Sequence, residues 1–335
     1  MRNILIALFL FSLISCNSDL DSILFSHFQK FIKKYEKNYT SISEFLARFE
    51  VFKKNIFSLL KTKNSFYKTG INQFSDLTEQ EFKKKYLNLN YDAMAASNFN
   101  PFHIEKKNNG APDSLDWRNL NRVTSVKDQG ACSAAWAFST VENLEGLYAG
   151  HYGILLDLSK NVIIDCDTMD MGCNGGLMEY AFEWLKNNGI MTEADYPYTG
   201  KKGECKIIID KCINMTITGF EKLGGSSSVF SCVDEEEMKE FLYERGPLSI
   251  ALNANLLQTY SSGILDATAA RCPWSGINHS ALLVGYGTDS TSGLDYWIVK
   301  NSWGRVWGES GYFRIRRGNG VCGINCYVIT ATVEF

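Results

Sequence analysis

The sequence has no C-x-x-C and no H-E-x-x-H, and it holds only four histidines in 335 residues. A zinc site is therefore not expected, and no other motif calls for a metal or a cofactor. No apolar run beyond residue 14 approaches the roughly 20 residues that span a bilayer. A basic excess is missing from the longer part of the chain: residues 111–335 carry 18 Lys/Arg against 27 Asp/Glu. That balance argues against nucleic acid or an anionic membrane as a partner. No cysteine lies between Cys16 and Cys132. Any disulfide framework therefore belongs to the chain from Cys132 onward, where the other nine cysteines sit.

What is present starts with MRNILIALFLFSLISC, a basic Arg2 followed by an apolar run from Ile4 to Ile14. This has the length of a signal-peptide core and predicts a secreted or vesicular soluble protein cleaved near Cys16. Residues 17–110 are basic, 15 Lys/Arg against 10 Asp/Glu, so a segment at +5 precedes a body at −9. Parts of opposite charge attract, and the attraction fades as carboxylates protonate.

Periodicity divides the chain further. Phe25, Phe28, Phe31, Ile32 and Tyr35, then Leu46, Phe49, Phe52, Ile56, Leu59 and Leu60, recur at helical spacing. They predict two helices within residues 20–66, neither able to bury its stripe without a partner. GINQFSDLTEQEF (70–82) reads as a tight turn into a helix capped by Asp76 or Thr78, with Glu81 three residues after Thr78. Residues 92–112 have the composition of an exposed, cleavable linker. Beyond it, helices are expected at Trp136–Tyr148 and Gly176–Asn187, and an exposed acidic one beginning in VDEEEMKEF (233–241). Residues 246–333 look strand-rich.

The stretch DQGACSAAWAFST (128–140) brings in a resemblance. With Gly172-Cys-Asn-Gly-Gly, Asp195-Tyr-Pro-Tyr, Asn278-His279, Gly285-Tyr-Gly, Asn301-Ser-Trp-Gly and Cys322-Gly, all in order, the chain resembles the papain family of cysteine peptidases. Its cathepsin L-like branch, viral cathepsins included, is the nearest pattern. Glu44, Arg48, Phe52 and Asn55 match the family's propeptide helix, although Leu59 and Lys63 depart from its later positions. Gly70, Asn72, Phe74 and Asp76 match GxNxFxD. Pro112, Asp116 and Trp117 match the start of the mature enzyme.

The resemblance implies an α+β papain-like fold of two lobes, one mainly helical and one an antiparallel β-barrel, behind an N-terminal helical inhibitory prodomain. It implies a signal peptide at 1–16, a propeptide at 17–110 and a peptidase domain at 111–335. The implied disulfides are Cys132–Cys173, Cys166–Cys205 and Cys272–Cys322. Cys212, Cys232 and Cys326 fall outside the pattern; a Cys212–Cys232 bridge leaving Cys326 free is one pairing the sequence permits.

A cysteine peptidase needs a thiolate, a base, an orienting group and an oxyanion hole. A helix starting near Trp136 offers the N-terminal setting that favours an anion. His279 would be the base, Asn301 its orienting partner, Trp303 the shield over their bond, and Gln129 an oxyanion donor with the backbone N–H of residue 135. The nucleophile position itself holds Ala135, which cannot attack a carbonyl, and Ser133 stands where the signature has Gly. Ser133 lies about 200° from residue 135 around a helix, so its hydroxyl should face elsewhere. Cys132 matches a disulfide half.

Two readings therefore stay open. The chain is a natural non-catalytic pseudopeptidase that holds peptides or inhibitors, or an endopeptidase whose Cys is replaced here. The resemblance places substrate contacts at Gly175, Gly176, Leu177, Met178, Ala251, Ile277, Asn278 and Tyr327. Apolar walls there suit a hydrophobic side chain two residues before the scissile bond. Implied partners are polypeptide substrates, the chain's own propeptide and cystatin-like inhibitors. The expected form is a monomer, in a lysosome-like vesicle or outside the cell. Sequons at Asn38 and Asn214 are expected to carry glycans, and the third, at Asn278 beside His279, is not.

Overall fold

A computed structural model describes residues 19–61, 66–87, 89, 110–223 and 232–335. The expected signal peptide and most of the expected linker lie outside the described residues.

The chain opens with a helical hairpin, α1 (Asp19–Lys34) and α2 (Ile42–Lys61). The aromatic stripes meet in its seam: Phe25, Phe28, Phe31, Phe49 and Phe52 are buried together. Phe28 lies 5.2 Å from Phe52 and 5.3 Å from Phe49, ring centre to ring centre. Burial of that area is what lets two amphipathic helices persist. Glu44 closes the start of α2 by accepting from the Thr40 N–H at 2.8 Å. Strand β1 (Tyr67–Thr69) comes next, then helix α3 (Glu79–Tyr86). Of the two possible caps, Thr78 is the one used. Its hydroxyl accepts from the Glu81 N–H and Glu81 reaches back to Thr78, a complete capping box. Asp76 instead accepts from Lys37 and Tyr39, at 3.0 and 2.9 Å, tying the turn to the end of α1.

The helical lobe is built on α4 (Ala135–Tyr152), with α5 (Lys160–Cys166) and α6 (Met178–Asn188) against it. Helix α4 runs longer than its sequence pattern and ends at Gly153 in the left-handed region. It is buried on nearly every side because it runs between the lobes, touching α5 and α6 on one side and strands of the second lobe on the other.

The second lobe is one twisted sheet. Its strands are β2 (Leu115–Asp116), β3 (Thr216–Leu223), β4 (Leu248–Leu252), β5 (Tyr260–Leu265), β6 (His279–Thr288), β7 (Asp295–Lys300), β8 (Tyr312–Arg316) and β9 (Val328–Glu334). The order is β1-β5-β8-β7-β6-β4-β9-β3, with β2 on β6. Pairing is antiparallel except for β5 with β8. The edge strand β1 comes from the N-terminal part: Tyr67 faces Gly263 and Thr69 faces Tyr260. Covering that edge is one way the two parts lock.

Helix α7 (Glu235–Arg245), capped by Asp234, is less exposed than its acidic start suggests. Met238, Phe241 and Leu242 are buried, and Glu235 accepts from the Trp297 indole at 2.6 Å.

Disulfides join Cys132–Cys173, Cys166–Cys205 and Cys272–Cys322. The Cys212–Cys232 pairing that the sequence permits is not formed. Cys232 joins Cys326, and Cys212 is the free thiol among the described residues. The cause is local. Val233 and Asn325 exchange hydrogen bonds, 3.0 Å from the Val233 N–H and 2.6 Å from the Asn325 amide, which holds Cys232 beside Cys326. Cys212 is held elsewhere, against the end of α6, where Ile213 N–H donates to Ile190.

Candidate active site

Sheet register creates the central pair. His279 opens β6, and Asn301 comes directly after the last residue of β7, its antiparallel neighbour, where Leu282 faces Lys300. His279 Nε2 lies 2.8 Å from Asn301 Oδ1, which also accepts the Ser302 N–H at 2.9 Å. Both side chains are buried, and Trp303 covers them with its ring centre 4.7 Å from the imidazole. Burial pushes the imidazole down to about 4, although Asn301 and the nearby Tyr86 carbonyl favour its charged form.

The loop before α4 supplies the opposite wall. Gly130 turns in the left-handed region, its N–H held by Asp128 at 2.8 Å. Gln129 is fully buried. Its oxygen accepts from Ser302 at 2.6 Å and its nitrogen donates to Cys132 at 3.0 Å, which leaves one amide hydrogen not used by those two bonds. The disulfide to Cys173 and the bond from Ser133 N–H to the Cys173 carbonyl, 3.1 Å, fix the loop. Ala135 is then the first residue of α4, where backbone N–H groups have no intrahelical acceptor. Ala135, His279, Ser133, Trp136, Asn278, Ser280 and Leu89 line one cavity of about 10 Å³, room for a single water. Among the described residues the imidazole Nδ1 makes no hydrogen bond.

The Ser133 hydroxyl does turn away from His279, but not through a helical step. Residue 133 precedes the helix, so the 100° step does not apply, and Ser133 borders the same cavity as Ala135. Its hydroxyl donates to the Lys85 carbonyl at 2.8 Å rather than to His279.

The candidate substrate contacts gather beside this cavity. Leu177, Met178, Ala251, Ile277 and Tyr327 are buried in one cluster. Gly175 sits at φ 110°, and a Cβ on Gly176 would stand 2.6 Å from the Trp136 ring, so both positions need glycine. Asn278 Oδ1 accepts from Ala254 and its nitrogen donates to Asn255, each at 3.0 Å. The Tyr327 hydroxyl lies against Glu179, whose carboxylate pairs with Lys222 at 2.8 Å. Asp170 accepts from the Leu177 N–H at 2.8 Å, and burial, with the neighbouring Asp167 charge, raises its carboxyl to about 9. Sequence reading missed Glu179, Lys222 and Asp170. An acidic residue in an apolar helical stretch gives no sign of which partner it meets.

The N-terminal part fills the cleft. Leu89 bridges to Gly176, donates its N–H to the Asn278 carbonyl at 3.2 Å and packs on the apolar cluster. Phe74, Phe82 and Tyr86 meet Trp303 edge to face, with centres 5.2, 5.4 and 6.3 Å away. Gln73 donates to the Trp303 carbonyl at 2.7 Å, and Asn72 to Gln258 at 2.8 Å. Among the described residues no cluster of His, Cys, Asp or Glu is placed to hold a metal ion, and no helix is long and apolar enough to cross a membrane.

A family profile described as papain family cysteine protease matches residues 111–332, and one described as cathepsin propeptide inhibitor domain (I29) matches residues 28–82. The viral cathepsin of Adoxophyes honmai nucleopolyhedrovirus is 41% identical over 312 residues, covering 89% of this chain and 88% of that protein. The viral cathepsin of Bombyx mori nuclear polyhedrosis virus is 35% identical over 337 residues and spans 100% of both chains. The solved structure of digestive procathepsin L 3 from Tenebrio molitor larval midgut superposes with a TM-score of 0.81 at 32% identity, covering 92% of this chain and 99% of that one.

Proposed function

Because the chain belongs to the papain family of cysteine proteases and is built as a proenzyme with its propeptide domain in the cleft, we propose that position 135 is the seat of the nucleophile. That seat holds Ala135, which has no lone pair and no ionisable proton, so no hydrolysis is expected of the protein as written. One observation carries the assignment: Ala135 and His279 line the same small cavity, with the imidazole oriented by Asn301.

With a thiol at 135 the residues take clear roles. The sulfur would lose its proton to His279 and attack the scissile carbonyl. The imidazolium would return that proton to the leaving amine, and water would release the acyl group. The backbone N–H of residue 135 and the uncommitted Gln129 hydrogen would hold the oxyanion. Trp303 would keep water from the His279–Asn301 bond. Leu177, Met178, Ala251 and Ile277, floored by Tyr327, favour a hydrophobic residue two positions before the cleaved bond.

The domain limits on this reading are signal peptide 1–16, propeptide 17–110 and peptidase 111–335. The Ala111 N–H already lies 3.2 Å from both Glu240 carboxylate oxygens, so a new amino terminus there would gain an ion pair. Disulfides, the signal sequence and exposed sequons at Asn38 and Asn214 support passage through the secretory pathway, ending in a vesicle or outside the cell.

A second reading has its own support. The cleft already holds a polypeptide segment through backbone contacts at Lys85 and Leu89, without chemistry. A non-catalytic protein that binds peptides or cystatin-like inhibitors would use the same surface. The genomic codon at position 135 separates the two readings.

The test is Ala135→Cys. On acidification this protein should shed its propeptide and cleave peptides after a hydrophobic-X pair. A variant that folds and sheds its propeptide yet stays inert would sink the assignment of position 135.

A further inference from the structure

Helix α3 ends inside the cleft, and the last carbonyls of a helix have no intrahelical donor. Here one of them, Lys85, meets the hydroxyl of Ser133 at 2.8 Å. Ser133 is buried and held by its own N–H on Cys173, by the Cys132–Cys173 disulfide beside it, and by the start of α4 two residues on. We propose that Ser133, at a position where the family signature carries glycine, is the donor that caps α3 from the opposite domain. In that role it sets how tightly the propeptide's exit from the cleft is held.

Three observations join in this. The donor and acceptor belong to different parts of the chain, so the bond forms only when the prodomain is seated. Ser133 also borders the cavity lined by Ala135 and His279, where Leu89 comes in from the prodomain side. Beside it, Leu87 N–H donates to Lys83 and Leu89 N–H to Asn278, 3.0 and 3.2 Å, and the Tyr86 carbonyl lies near the His279 ring. Ser133 therefore adds a side-chain hydrogen bond that glycine could not make. A hydroxyl is also the right group chemically. A methyl at 133 would take this donor away from the Lys85 carbonyl, which is part-buried at the bond. The inference rests on Ser133 and Lys85 alone and holds whichever residue occupies position 135.

Hydrogen–deuterium exchange on the full chain tests it, comparing the protein with Ser133→Ala and Ser133→Gly. The Leu87 and Leu89 amides should exchange roughly three- to tenfold faster in both variants, the size of one net hydrogen bond. Amides in the α1–α2 hairpin and in β6 and β7 should keep their rates. Unchanged rates at Leu87 and Leu89 overturn the proposal. So does a rise of equal size across β6 and β7, because that would make Ser133 a general stabiliser of the lobe rather than an anchor of the propeptide.

Discussion

The oxygen of Asn301 receives two hydrogen bonds, one from the Ser302 N–H at 2.9 Å and one from His279 Nε2 at 2.8 Å. An amide oxygen only accepts, so Nε2 must carry the proton of the neutral ring. Nδ1 is then the unprotonated nitrogen and, among the described residues, makes no hydrogen bond, in a ring that borders the cavity shared with Ala135; the Tyr86 carbonyl nearby would favour a proton there. One amide side chain thus decides which nitrogen is free to act as a base.

In an Ala135→Cys background, Asn301→Ala should therefore lower kcat/KM by about 100-fold, the scale of a misplaced catalytic group. The loss should fall on kcat, because peptide contacts at Gly176 and Asn278 are untouched. A steady-state comparison of the two cysteine proteins checks this, and a change confined to KM would contradict it.

Acid should weaken the closed proenzyme through His279. Its pKa when folded, about 4, lies below the ordinary 6.5 because burial opposes the charge. The unfolded chain binds a proton near pH 6.5 while the folded proenzyme refuses it until about pH 4. Stability is therefore full above pH 6.5, falls as pH drops toward 4, and levels off below. The drop is at most about 3 kcal/mol. Glu81, drawn down to about 2 mainly by Arg48, keeps its contribution above pH 4.5 and loses it only lower. Urea midpoints between pH 7.5 and 4.5 should slope downward, and His279→Gln should flatten much of that slope. Parallel curves for the two proteins would show that other groups carry it.

Some of this architecture is legible in the sequence. Phe25, Phe28, Phe31 and Phe49, Phe52 predict two helices that each need a partner, because helical spacing puts them on one face of each helix, and the structure makes each the other's partner. The boundaries of α4 are less legible, since its residues are buried nearly all round and show little periodicity. Helix α5 gives no clear sign of itself, because KNVIIDC reads equally well as a buried strand. At the site, His279, Asn301, Gln129 and Trp303 stand out through dispersed motifs. The bond from Ser133 to Lys85 does not, because it joins positions 48 apart in sequence across two domains. The same holds for Cys232 and Cys326, which are brought together by the docking of α7 rather than by spacing.

Lys300, the residue before Asn301, points into the core and pairs with Glu142 of α4 at 2.7 Å, both side chains buried. It also donates to Thr124 at 3.1 Å. Burial raises the Glu142 carboxyl and the Lys300 charge opposes that rise. Removing one partner strands the other, so Lys300→Met should destabilise the protein by about 3–5 kcal/mol. Lys300→Met with Glu142→Leu should recover most of that, because it leaves no lone charge. Urea unfolding of the single and double variants reads both values, and a double variant as weak as the single one would refute the pairing argument.

The disulfide pattern makes a prediction of a different kind, since sequence spacing and structure disagree about it. Cys232 sits at the entry to α7 and Cys326 immediately before Tyr327, and the Val233–Asn325 hydrogen bonds bring them together. Cys212 lies beyond reach of both, beside the Asn188 carbonyl at the end of α6, and burial raises its thiol so that it reacts slowly at neutral pH. Non-reducing peptide mapping should therefore recover a Cys232–Cys326 cross-linked pair, and alkylation after mild unfolding should label Cys212. A Cys212–Cys232 peptide would place α7 differently against the segment that leads into Tyr327. The floor of the apolar pocket would then have to be redrawn, because the backbone leading to Tyr327 is held by that bond.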